Sequence, residues 1–341
     1  MDNIFDTLKH WHNALIDTDR IPVILGAILL TAILGMIRGP FLGNIYPFIW
    51  QAFEKLLGRI GDKMDNPKRS PSALMFRGLL ITIIALGLAF VIGQGVSLTA
   101  LTTNIFVEIV LLSLLITSGT VWFALLRLYF AMDKKQLTPG AFYDIARSTR
   151  TDLNAGDDHG IVRRAMSLSV KSFDKGLIAP ALWYLIGGFP AAIIYSALAV
   201  ISWRHGREGS GSSLSAIPMA LEKLMAFVPS LYAAALITLA ATFTPTAKLH
   251  KGLASWINGK NRASYEQGGP ALSALAWALN LSLGGPGVDL SGTPIKGAWV
   301  GPEGASAKVS HKDLRYTIYI SVISHLLFIA SLIGAYIWSG S

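Results

Sequence analysis

Six stretches of this chain are apolar for long enough to cross a lipid bilayer, and nothing else in the sequence limits its fold as much. A membrane-spanning helix needs about 20 predominantly apolar residues, with about 17–25 tolerated. The candidates are residues 21–37, 78–98, 105–126, 176–203, 224–247 and 316–338. In hydrocarbon every backbone polar group must be satisfied within the chain, which makes such segments helical. The expected fold is therefore all-α, a polytopic helical membrane bundle of about six transmembrane helices plus interfacial or re-entrant helices, in a single domain over 1–341. Only 14% of residues are charged, against about 25% in a soluble domain, so a soluble enzyme is excluded. A seventh apolar stretch, 270–283, is too short to span and reads as re-entrant or interfacial.

Basic residues set the expected topology. Segments 38–77, 127–175 and 248–315 hold 24 of the 29 Lys and Arg residues. The other five are Lys9, Arg20, Arg204, Arg207 and Lys223. Under the positive-inside rule this bias makes those three segments cytoplasmic loops of an inner (cytoplasmic) membrane protein, with 1–20 and both termini on the periplasmic side. The fourth span is long, and Gly187, Gly188 and Pro190 interrupt it, so it is either one span or a hairpin of two half-helices. The net charge of +9 follows from the loops, and no nucleic acid is expected as a partner. The N-terminus is acidic (Asp2, Asp6, Asp17, Asp19), unlike a cleavable signal. With no cysteine, disulfides, zinc–thiolate sites and thiol nucleophiles are excluded.

Two amphipathic stretches flank the first span. In IWQAFEKLLGRI, Ile49, Phe53, Leu56, Leu57 and Ile60 share one helical face, which suits a helix in the membrane interface. FDTLKHWHNALI is a weaker case on the other side, and SGSS at 210–213 reads as a connector.

Chemistry has few candidates. The richest polar cluster is ARSTRTDLNAGDDHG, residues 146–160. Its arginines suit a phosphate or carboxylate, and Asp157, Asp158 and His159 are oxygen and nitrogen donors for a cation. A solvated loop with a helix N-cap is the plainer account. GPEGASAK lacks the spacing of a phosphate-binding loop. Glu108, near the end of its span, suits snorkelling to the interface. His325, deeper, suits a neutral imidazole bonded to the backbone of a neighbouring helix. Lys171 and Lys175 lead into GLIAPALWYLIGG one helical turn apart, where like charges mildly repel. They are candidates for anion binding.

Residues from about 25 to 305 resemble the CobD/CbiB family, the adenosylcobinamide-phosphate synthases of cobalamin biosynthesis. The blocks that carry the resemblance are GLIAPALWYLIGGFPAAIIYSALAV, PMALEKL, ALAWALNLSLGG and GAWVG. The resemblance implies an inner-membrane protein that joins adenosylcobyric acid to an aminoalcohol phosphate, using ATP and Mg²⁺. The departures are concentrated at polar positions. Where the family has a glutamate, a Glu-Asn pair and an aspartate before the glycine, this chain has Ser167, Lys171 with Ser172, and Lys175, with Asp174 one position off. An Asn-Thr-Leu-Asp run is replaced by Ala199, Val200, Ile201 and Ser202. An Asp-Asp pair and an asparagine become Gly211, Ser212 and Ser215. Pro-Ala-Arg-Leu becomes Pro218, Met219, Ala220 and Leu221. A turn asparagine becomes Glu266, and His-Pro-Val becomes Tyr46, Pro47 and Phe48.

Mg²⁺ prefers oxygen ligands such as carboxylates, and ammonium groups repel it. The resemblance so altered implies a catalytically degenerate member, acting as an interaction, scaffold or regulatory subunit of a membrane assembly. Its expected partners are the lipid bilayer and other membrane protein subunits. No cofactor and no metal site is expected. The alternative is an active synthase that uses ATP and Mg²⁺ at a rearranged site of Arg147, Arg150, Asp152, Asp157 and Asp158.

Overall fold

The computed structural model describes residues 17–66, 68–154, 156–206, 213–257 and 260–340. The amphipathic segment FDTLKHWHNALI and most of the 210–213 connector lie outside the described residues. The fold is an all-α membrane bundle. Its helices are α1 (Ile21–Arg38), α2 (Phe48–Met64), α3 (Pro71–Leu101), α4 (Ile105–Ser113), α5 (Gly119–Asp133) and α6 (Pro139–Thr149). They continue with α7 (Asp158–Phe173), α8 (Ala179–His205), α9 (Ala216–Ala240), α10 (Leu249–Ile257), α11 (Gly269–Leu279) and α12 (His311–Gly340). Short strands β1 (Leu283–Gly284), β2 (Gly287–Val288), β3 (Pro294–Ile295) and β4 (Trp299–Val300) pair as β1 with β4 and β2 with β3, both antiparallel.

Among the described residues, five helical segments are long and apolar enough to cross a membrane: Thr18–Arg38, Pro71–Leu101, Asp158–His205, Ser213–Phe243 and His311–Gly340. The expected span at 105–126 is not one helix. It is α4 and α5, separated by a turn at 114–118. The pair nevertheless follows α1 along its length. Gly26 lies against Ile109, Gly35 against Gly119 and Thr120, and Gly39 against Phe123. The order of these partners means that α1 and the α4–α5 pair run side by side in the same direction.

The structure also decides 176–203, which the sequence leaves open. The backbone leaves helical geometry at Gly187 and Gly188, where Gly188 has φ 63° and ψ −157°. That region is essentially reserved for glycine. The chain turns back there. Tyr46 touches Gly176 and also packs edge-on to Trp203, with ring centroids 6.0 Å apart. In a straight helix those two residues would be about 40 Å apart. Arg20 holds the tip, donating to the carbonyl of Tyr184 at 3.0 Å. The fourth span is thus a helical hairpin. It returns Arg204 to the side of the basic loops, where Arg204 pairs with Glu54 and Asp62. Lys223, bonded to Glu266, stands on that side as well. The strict alternation of sides fails here because the Gly-Gly turn adds a reversal that the count of apolar runs does not contain.

Two interfacial expectations also change. Along α2, Trp50, Phe53 and Leu57 are buried against the protein, and Gly58 and Gly61 admit the side chains of Arg204 and His205. The Phe53 and Leu57 side of the amphipathic face is therefore covered by α8, while Leu56 stays 49% exposed. Helix α11 is too short to span, as expected, but lies in the core and not at the interface, with Ala271, Leu272, Ala274, Leu275 and Ala276 almost fully buried. Its small side chains let α9 and α10 pack closely on it.

Two intramembrane groups are accounted for by protein partners. Glu108 does not simply snorkel, since it accepts a hydrogen bond from the Tyr184 hydroxyl. The His325 ring bonds through Nδ1 to the Ser321 carbonyl of its own helix at 2.7 Å, between the rings of Trp122 and Phe173.

Candidate functional site

Between α7 and α8 the chain makes one wide turn, Asp174–Ile178, in which the Ala179 N–H reaches back five residues to the Asp174 carbonyl. Such π-type turns insert a residue into an α-helix and are frequent at functional sites. The turn meets the break between α4 and α5, where the Thr117 N–H donates to the Gly176 carbonyl at 2.8 Å. Irregular backbone at membrane depth is tolerated where it is buried in protein or lines a cavity. Here it does both.

The turn sends its two charged residues to different partners. Asp174 accepts from the Ser230 hydroxyl of α9 at 2.9 and 3.0 Å. Lys175 points into a cavity of about 80 Å³. There Nζ donates to Glu222 Oε1 at 3.0 Å and sits 4.0 Å from the ring centre of Tyr265. Glu222 is 0% exposed and Lys175 8%. Lys171, one turn earlier, donates to the backbone carbonyl of Glu266 at 3.0 Å. The like charges of Lys171 and Lys175 are tolerated because each has its own acceptor.

Three cations (Arg164, Lys171, Lys175) and two carboxylates (Glu222, Glu266) line the cavity. Tyr46, Trp203 and Tyr265 supply aromatic walls, and Ser148, Thr149, Thr151, Ser167 and Ser202 supply hydroxyls. The β2–β3 ribbon closes one edge through Ile295, anchored by the Asp152 N–H on the Val288 carbonyl at 2.8 Å. Among the described residues, Glu222 Oε2 and Ser202 Oγ of this lining have no hydrogen-bond partner by geometry. A buried polar atom left so costs about 1–3 kcal/mol, so this cavity favours a polar occupant. Burial, and next the charge of Glu222, pushes the Tyr265 phenol well above the usual tyrosine value, so its hydroxyl keeps its proton.

Lys171 and Lys175 are thus both cavity residues, as the anion-binding expectation requires, although Lys175 is neutralised by Glu222. The other candidates do not converge. Arg147 bonds Tyr143 Oη at 3.1 Å on an exposed face. Arg150 adopts the left-handed conformation at the C-terminus of α6 and lies over the Trp203 ring. Asp152 accepts from the Asn154 N–H at 3.0 Å. Asp157 is the N-cap of α7, accepting from the Gly160 N–H at 2.7 Å, and Asp158 follows in the first turn. These aspartates cap turns, the role for which short acidic side chains are favoured. Sequence reasoning missed Glu222 and Tyr265 as site residues. A signal existed for Glu222: helix α9 starts at Ala216, so the Glu-Lys pair of AIPMALEKLMAF lies well inside it and not in the flank of a span starting at 224.

A divalent cation does not fit this donor set. Among the described residues no three His, Cys, Asp or Glu side chains gather as a metal site. Both cavity carboxylates are already bound by ammonium groups, Glu222 by Lys175 and Glu266 by Lys223 at 2.7 Å. Mg²⁺ would have to displace a lysine in a site of positive balance.

The CobD/Cbib protein family model matches residues 24–320. The chain belongs to the CobD/Cbib family. It is similar to the cobalamin biosynthesis protein CobD of Brucella melitensis biotype 1, 22% identical over 337 residues, covering 91% of this chain and 98% of the relative. The CobD of Brucella suis biovar 1 matches to the same extent. The CobD of Klebsiella pneumoniae is 26% identical over 167 residues, 48% of this chain and half of that protein. No solved structure matches the chain.

Membership covers the whole cavity, whose lining lies between Tyr46 and Ile295. The Glu266 link between Lys223 and Lys171 gives it a pH dependence. Burial works to raise the Glu266 carboxyl, but hydrogen bonds from Lys223, its own backbone and Ser264 outweigh this and hold it below its ordinary 4.5. A depressed carboxylate stabilises above its unfolded value, and that contribution is lost as pH falls through the folded value. The thermal midpoint of purified protein is therefore expected to drop below pH 4.5 more steeply than that of Glu266→Gln.

Proposed function

We propose that this CobD/Cbib family protein works in cobalamin biosynthesis as a catalytically degenerate member, a binding or regulatory subunit of a membrane assembly. The observation that carries the reading is the Lys175–Glu222 pair. It occupies the one fully buried carboxylate of the cavity with an ammonium group. ATP-dependent carboxyl activation needs a metal to neutralise the phosphates, and this cavity offers lysines and hydroxyls instead. Such a lining suits an anionic ligand held by Lys171 and Arg164, with Tyr265 and Trp203 as walls. The assembly would face the cytoplasm of the inner membrane through the basic loops.

The test is turnover. Purified protein with ATP, Mg²⁺, adenosylcobyric acid and an aminoalcohol phosphate is expected to form no amide and no ADP above background. Its gene is expected not to restore cobalamin synthesis in a strain lacking the synthase. The second reading, an active adenosylcobinamide-phosphate synthase, is favoured by the match over 98% of two relatives named cobalamin biosynthesis protein CobD. Turnover in that assay would establish it.

A further inference from the structure

Helix α10 is too short to span a membrane, yet it turns apolar side chains outward. Leu253 is 49% exposed, Trp256 39% and Ile257 84%, with Phe243 beside them at 65%. Its inner side is made of Gly252 and Ser255, which are buried. Gly252 rests against Thr238 of α9 and Ala278 of α11, and the Trp256 indole donates to Thr238 Oγ1 at 3.2 Å. The helix is therefore fixed in place with its apolar side facing away from the protein.

Basic residues surround that side. Lys248, Lys251, Lys260 and Arg262 flank the helix. Lys251 bonds Asn280 at 2.8 Å, and Arg262 bonds the Trp256 carbonyl at 2.7 Å. Glu303 lies 3.8 Å from Lys260. Arg262 stands three residues before Tyr265 of the cavity wall, which ties the patch to the cavity through a short stretch of chain. An apolar face with a tryptophan at its edge and a rim of Lys and Arg is the chemistry that lies in a bilayer interface. Basic side chains there are drawn to anionic headgroups.

We propose that α10 docks into the leaflet bordering the cavity, with Leu253, Trp256 and Ile257 in the acyl boundary and Lys248 and Lys260 on anionic phospholipid headgroups. The inference does not depend on whether the cavity is catalytic.

The chain has no cysteine, so Ile257→Cys carries a single environment-sensitive dye, and Lys260→Cys gives a second label position. Full-length labelled protein is compared in detergent, in phosphatidylcholine vesicles and in vesicles that also contain phosphatidylglycerol. With phosphatidylglycerol the dye at 257 is expected to brighten about twofold, shift to the blue and lose about two-thirds of its quenching by acrylamide. Lipid-borne quenchers should reach it. Adding Lys248→Gln and Lys260→Gln is expected to abolish the difference between the two vesicle types. Three results would overturn the proposal. One is acrylamide access at 257 unchanged by any vesicle. Another is equal shielding in both vesicle types, insensitive to the lysine changes. The third is shielding already complete in detergent with the mass of two chains, which would assign the patch to a second copy.

Discussion

Glu222→Gln is expected to be the most damaging single change in the cavity, lowering stability by about 3–5 kcal/mol. The carboxylate is 0% exposed and bonds Lys175 at 3.0 Å. Glutamine keeps the shape and can still accept, so the loss isolates the charge. It leaves an ammonium group, 8% exposed, with a neutral acceptor and the face of Tyr265 in place of its counter-ion. Lys175→Met is expected to be similarly harmful, because the buried carboxylate then lacks its counter-ion. The double variant Lys175→Met, Glu222→Gln should recover most of the loss, since replacing both members of a buried pair is often close to neutral. Thermal midpoints of the four proteins in one detergent, arranged as a double-mutant cycle, check this. A Glu222→Gln protein as stable as the parent would show the carboxylate to be free for other work, and the proposed loss of the metal site would then fail.

The second large effect is expected where two helices touch backbone to backbone. A Cβ at Gly119 would sit 2.1 Å from the Ala32 carbonyl oxygen, and one at Gly35 2.4 Å from the Thr120 nitrogen. Both obstacles are main chain and cannot rotate away. Gly119→Leu must push α1 and α5 apart. It is expected to cost at least the upper end of the about 1–3 kcal/mol typical of overpacking, and to lower the yield of folded protein. Small residues matter here because lipid tails are as apolar as leucine, so close van der Waals contact has to hold the helices together. Gly87→Leu, at a position in α3 with open space around it, is the control and should change the midpoint little.

Much of the architecture was legible in the residues. Long apolar runs gave the spans at 21–37, 78–98 and 316–338, each inside a long apolar helix of the structure, and the run at 224–247, which outlasts its helical segment Ser213–Phe243 by four residues. The blocks around GLIAPALW pointed to the family. Lys171 and Lys175 stood out because an ammonium pair at the start of an apolar helix needs an explanation, and both line the cavity. The Asp152–Asp158 cluster was open to two readings for a physical reason, and Asp157 takes the plainer one as a helix N-cap. Acidic residues close in sequence are as suited to capping turns as to holding cations, and only the position of the backbone N–H groups separates the two roles.

Composition and run length alone determined that this chain is a helical membrane bundle, because the cost of burying polar backbone in hydrocarbon depends on each segment by itself. Tertiary structure decided that 176–203 doubles back, that 105–126 breaks in two, and that Lys175 finds Glu222, 47 residues away. Those outcomes depend on which groups meet in three dimensions. A glycine pair allows a reversal without requiring it, and a buried charge is tolerable only where the fold delivers its partner.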